Sequence, residues 1–160
     1  MNLKYTFIAA AFFLSNIGIA QQGDGGNPKG YSYTIKNNKS IDTKVFQEPD
    51  ISALRAEDEI NDELRTGPWR FGYNNETSLD IHNSGTWFTM PNGDKIWLIE
   101  VEATNAKTVN LSFKNTEIPN GNELYIYNPD KSFILGKFES KHLYNGELGS
   151  ELVPGSKVFV

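Results

Sequence analysis

The chain has 160 residues, 38% of them hydrophobic, no cysteine and a formal net charge of −5, which is the size of one domain plus attachments. No apolar run reaches the roughly 18 residues of a membrane span, and 15 basic against 20 acidic side chains give no net attraction for nucleic acid. The absence of cysteine excludes thiol catalysis, a disulfide scaffold, lipid attachment through cysteine and thiolate metal sites.

Residues 1–20 have the layout of a secretory signal peptide. Lys4 supplies the positive charge, residues 5–14 are apolar except Thr6, and Gly18-Ile19-Ala20 supplies a small-x-small cleavage site. The expectation is a secreted, extracellular protein cleaved after Ala20. Cleavage there removes one lysine and no acid, leaving 140 residues of charge −6.

Residues 21–66 read as a flexible lead-in, Gln-, Gly-, Asp- and Asn-rich at its start. Within it Tyr31-Ser32-Tyr33-Thr34-Ile35 alternates as a strand would. Ala53, Ala56, Ile60 and Leu64 repeat at helical spacing and predict a short helix over 51–64. Glu57, Asp58, Glu59, Asp62 and Glu63 lie between them, but their spacing lacks the alternating ligands and central glycine of a calcium-binding EF-hand loop. They read as a solvated helical face or charged linker. Gly67-Pro68 ends the segment.

From residue 67 to 160 the pattern is that of β-structure. Gly85–Met90 and the alternating run from Lys95 to Glu102 enclose Pro91-Asn92-Gly93-Asp94, a strong hairpin signal. Trp97, Ile99 and Val101 fall on one face of the second run. Val109, Leu111 and Phe113 alternate with polar residues, Leu124-Tyr125-Ile126-Tyr127 follows the turn Pro119-Asn120-Gly121-Asn122, and a run over 133–138 follows Asn128-Pro129-Asp130-Lys131. Runs over 148–153 and 157–160 flank Pro154-Gly155. Short strands with turns between them, each half polar, predict an all-β fold: an antiparallel β-sandwich or jelly roll carrying a polar lead-in and one short helix. Because the chain stops in strand-like Phe159-Val160, the β-domain is expected to be truncated at its C-terminal end, making the sequence a fragment.

No catalytic, cofactor-binding or metal-binding residue stands out, and no cofactor is expected. His82 and His142 are the only conventional neutral-pH bases, no Gly-x-Ser-x-Gly or Gly-Asp-Ser-Gly accompanies them, and both read as surface or turn histidines. Two histidines without cysteine make a poor zinc site. The three tryptophans admit a carbohydrate-binding reading. Trp87 and Trp97 lie in apolar strand patterns that favour the core, whereas Trp69, beside Pro68 and Arg70, is the candidate exposed ring, Arg70 being stacked or paired nearby.

The order of landmarks is itself informative. Gly67-Pro68-Trp69-Arg70-Phe71-Gly72 is followed by Asn83-Ser84-Gly85-Thr86-Trp87 and Met90-Pro91-Asn92-Gly93-Asp94-Lys95-Ile96-Trp97. Leu111-Ser112-Phe113 comes next, then Ile118 through Asn128, then Pro154-Gly155-Ser156-Lys157-Val158. This series, over about 57–160, resembles the N-terminal β-domain, or pro-region, that precedes the catalytic domain in lysyl endopeptidase and related secreted, trypsin-like bacterial serine proteases. The resemblance implies a non-catalytic domain of a secreted proprotein, assisting folding, restraining activity or mediating targeting. Its partner would be a downstream protease domain in the same polypeptide, which holds the catalytic His, Asp and Ser, so none of those roles falls on a residue of this chain. The alternative is a free-standing extracellular module binding carbohydrate or a surface partner.

Overall fold

Three strands, β3 (Lys95–Ala103), β10 (Lys157–Phe159) and β6 (Leu124–Tyr127), form the middle of the main sheet in the computed structural model, which describes residues 25–29 and 40–160. The signal peptide and the strand-like run 31–35 lie outside the described residues. Strand β1 (Asp42–Phe46) pairs with β3 on one side and β7 (Ile134–Phe138) with β6 on the other, giving the order β1-β3-β10-β6-β7. Strand β2 (Thr86–Thr89) pairs with the start of β3, on the same edge that β1 occupies further along. Among the described residues no helix is long and apolar enough to cross a membrane.

The fold is mainly β with one helix, but the sheet is mixed rather than antiparallel throughout. β1 runs parallel to β3, Asp42 opposite Ile99 and Phe46 opposite Ala103. The sheet therefore begins inside the stretch read as a flexible lead-in, and further upstream Pro28 is buried while the Lys29 ammonium lies 3.6 Å from Asp94. β1 escapes a pattern search because it is an edge strand with only two apolar residues, one of which, Val45, is half exposed. A chain that leaves β1, forms a helix and returns through a hairpin can enter β3 in the parallel sense, whereas adjacent strands joined by tight turns cannot.

Helix α1 spans Ile51–Leu64, the range that the apolar spacing predicts. Asp50 caps it by accepting a hydrogen bond from the Ala53 N–H at 3.0 Å, and Arg65 closes it in the left-handed conformation. None of its residues is buried.

The β2–β3 hairpin turns through Pro91-Asn92-Gly93. The Gly93 N–H donates to the Met90 carbonyl at 2.9 Å, and the Met90 N–H to the Asp94 carbonyl at 2.8 Å. Only Gly93 takes positive φ; Asn92 instead accepts from the Asp94 N–H. This is the three-residue loop with a left-handed glycine rather than a two-residue turn with both φ values positive.

The run expected over 108–114 is broken. β4 (Thr108–Val109) pairs with β9 (Val153–Pro154), and β5 (Ser112–Phe113) pairs with β8 (Leu148–Gly149). Two residues on one side, Asn110 and Leu111, face three on the other, Ser150, Glu151 and Leu152, which is the count of a β-bulge. The Ser150 hydroxyl takes the place of a ladder carbonyl, accepting from the Leu111 N–H at 2.8 Å.

Apolar side chains collect on both faces of the main sheet. Ile99, Val101, Ile126, Leu135, Phe138 and Val158 form the larger cluster with Val109, Ile118, Leu148, Val153 and Val160. Leu98 points to the other face, where it meets Phe88 and Tyr127, and Phe159 stacks on Tyr127 with ring centroids 5.4 Å apart. Trp97 and its neighbours Ile99 and Val101 do share the larger cluster, as alternation requires.

Candidate functional site

The most exposed apolar surface is an arm formed by α1 and the extended segment after it. The apolar stripe of α1 is left uncovered, with Ile60 and Leu64 more than half exposed. Past the left-handed Arg65 and Gly67-Pro68 the chain runs extended, and period-two alternation throws Trp69, Phe71 and Tyr73 to one side. Trp69 is 82% and Phe71 88% exposed, whereas most rings of this size are buried.

Arg70, on the opposite side of that segment, ties it back to the helix. Its Nε donates to Asp58 Oδ1 at 2.8 Å and a terminal nitrogen to Glu57 Oε2 at 2.6 Å. The Asp58 hydrogen bond, with the charges of Asp58 and Glu57, holds the guanidinium above its ordinary pKa. Two of the five helix carboxylates thus position the aromatic segment, and the remaining three face solvent. Among the described residues no group of three or more His, Asp or Glu is arranged to hold a metal ion.

The tryptophans divide in an instructive way. Trp69 is exposed and Arg70 is ion-paired, as their context suggests. Trp87 and Trp97 sit directly opposite each other across the hairpin, yet only Trp97 packs into the core. Trp87, expected inside, is 44% exposed and donates its indole N–H to the Ile81 carbonyl at 3.1 Å. It lies at the strand end beyond the reach of the second layer.

The histidines occupy turns. In the turn around Asp80, the carboxylate accepts from the His82 and Asn83 N–H groups at 2.7 and 3.0 Å. His142 closes the 3-10 turn Ser140–His142, where its Nδ1 accepts from the Glu139 N–H at 2.9 Å and its ring meets Phe138 edge-on. Neither imidazole is hydrogen-bonded to a serine or threonine hydroxyl.

The other charged clusters hold the fold together. Asp42 accepts from the Gly85 N–H at 2.8 Å and pairs with Lys44 at 3.0 Å. Both contacts, the Gly85 bond first, hold its carboxyl below the usual range and fasten β1 to β2. Lys157 lies between Glu100 and Glu102 on the neighbouring strand, and Glu139 lies between Lys141 and Lys137, which bring its pKa down to about 2. Phe71 and Tyr73 escape sequence reasoning because Gly72 and the surrounding polar run hide a period-two pattern that belongs to no strand. No family model, curated protein or solved structure matches the chain.

Proposed function

We propose that the chain is the non-catalytic N-terminal domain of a secreted, trypsin-like (lysyl endopeptidase-like) serine endopeptidase. In this reading residues 1–20 direct export, and residues 67–160 form the β-domain that assists folding of the downstream catalytic domain or restrains it. The observation that carries the proposal is the ordered series of landmark phrases between Gly67 and Val158. Each phrase has a structural job compatible with being part of one fold signature. Gly85 lies under the Trp97 indole, Gly93 closes the hairpin, Asn128 builds a buried turn, and Gly155 bonds the Lys107 carbonyl.

The finer description of the fold belongs to the same proposal. The β4–β9 and β5–β8 ladders contribute Val109, Val153 and Leu148 to the larger cluster, so we read them as the second layer of a β-sandwich over the main sheet. The acidic, aromatic arm supplies a surface for the partner domain, combining rigid apolar anchors with a charged rim. The test is expression of the natural polypeptide in a secreting host. Medium containing it should hydrolyse lysyl or arginyl chromogenic substrates and be silenced by a serine-directed inhibitor. Residues 21–160 alone should show no turnover, and hydrolysis by that piece would overturn the reading. A free-standing surface-binding module is the second reading, favoured by the exposure of Trp69 and Phe71; it predicts secretion without any protease activity.

A further inference from the structure

A furrow far in sequence from the arm runs between the loop before β6 and the segment after β7. Two adjoining depressions, of about 730 and 180 Å³, share Pro119, Asn120 and Ser140. Their combined size is that of a small-molecule site, but the shape is open along its length. The walls are built, not draped. Ile118 is buried and Leu143 packs on the core, anchoring one wall each. The Thr116 N–H donates to the Gly146 carbonyl at 2.8 Å, and the His142–Glu139 bond holds the short 3-10 turn.

The polar lining is unusual in what it leaves unused. The side chains of Asn115, Asn120 and Asn145, the Ser140 hydroxyl and the Glu117 carboxylate make no hydrogen bond or ion pair among the described residues. Elsewhere asparagine amides serve the fold: Asn83, Asn92, Asn105 and Asn128 are each bonded. Asn145 and Gly146 form the tip of a two-residue hairpin in which Tyr144 and Glu147 exchange backbone bonds. Tyr144, between the lining residues Leu143 and Asn145, is 79% exposed.

We propose that this furrow binds a neutral oligosaccharide, with Tyr144 stacking on one sugar ring and the free amides pairing with hydroxyls. An amide presents a donor and an acceptor side by side, which matches neighbouring hydroxyl groups that each donate and accept. A tyrosine ring offers an apolar face to the C–H side of a pyranose while its own hydroxyl stays wet. A polyanion is disfavoured, because Glu117 and Glu139 face the furrow and the ammonium of Lys141 is engaged with Glu139 at 2.8 Å. A peptide strand would need an open backbone edge, and the Thr116-to-Gly146 bond closes the walls against one.

The site stands independently of the protease proposal and is tested by calorimetric titration of the purified protein with cellohexaose, chitohexaose, mannohexaose and xylohexaose. At least one should bind with a dissociation constant of roughly 10 μM to 1 mM. Tyr144→Ala should weaken that sugar about tenfold or more and Tyr144→Phe by less than about threefold, the stacking face being retained. Asn120→Ala and Asn145→Gly, the latter keeping the positive φ of 52° accessible, should each weaken it about threefold or more. Trp69→Ala should leave it unchanged. Thermal unfolding of each variant confirms the fold. No heat from any of the four sugars at millimolar concentration overturns the proposal, as does binding that survives Tyr144→Ala or disappears with Trp69→Ala.

Discussion

Gly85→Ala tests how the hairpin, β1 and the core are joined. Gly85 has φ +76°, and a methyl there would overlap the Trp97 indole, with Nε1 and Cε2 nearest and Cζ2 at 2.8 Å. The same indole donates to the Ser84 carbonyl at 2.7 Å, and the Gly85 N–H is the bond that fastens Asp42. Alanine at positive φ costs about 1–2 kcal/mol. Forcing the indole aside adds about 1–3 kcal/mol of overpacking and about 1 kcal/mol for the lost hydrogen bond. The expected loss is about 4 kcal/mol, a large fraction of the roughly 5–15 kcal/mol that holds a domain folded. Urea unfolding followed by tryptophan emission reads both stability and the Trp97 environment. A loss below about 1 kcal/mol with unchanged native emission would refute the reasoning, because the overlap would then have been relieved at no cost.

Asn128 is buried, accepts from the Phe133 N–H at 2.9 Å and donates to Ser132 Oγ at 2.9 Å. Asn128→Ala should cost about 2 kcal/mol by leaving the Phe133 N–H unpaired, and Asn128→Asp, which keeps the acceptor, distinctly less in the same urea assay. Glu139 has a folded pKa of about 2, below its model value of 4.5, from Lys141 and Lys137. Its contribution is therefore present above about pH 4.5 and lost as the pH falls toward 2. Thermal midpoints should decline over that window, less steeply in Glu139→Gln. Arg70→Ala should leave the unfolding midpoint essentially unchanged, since the pair is surface-exposed, while limited trypsin digestion at Arg65 speeds up. An unchanged digestion rate would mean that Arg70 does not hold the segment.

Periodicity and turn chemistry carried most of the β-domain. Helix α1, the β2–β3 hairpin and the strand β6 are legible because each is a local pattern bounded by Pro, Gly or Asn. Pairing is not local. Nothing in Asp42-Thr43-Lys44-Val45-Phe46 announces that it will lie parallel to β3, and that strand is held by a carboxylate reaching Gly85, forty-three residues away. The bulge opposite Asn110 and Leu111 depends on a serine thirty-nine residues from Leu111. Exposure was equally hidden: Trp87 and Trp97 occupy similar strand patterns, and only the extent of the opposing layer separates them. The furrow has no sequence motif, because its walls are turns whose asparagines look like the turn-formers found elsewhere in the chain.

The central claim is that this domain belongs to a serine endopeptidase, and the reading frame after Val160 tests it most directly. The account predicts continuous coding sequence containing a His, then an Asp, then a Gly-Asp-Ser-Gly nucleophile loop. A stop codon immediately after Val160 in the natural gene would contradict it.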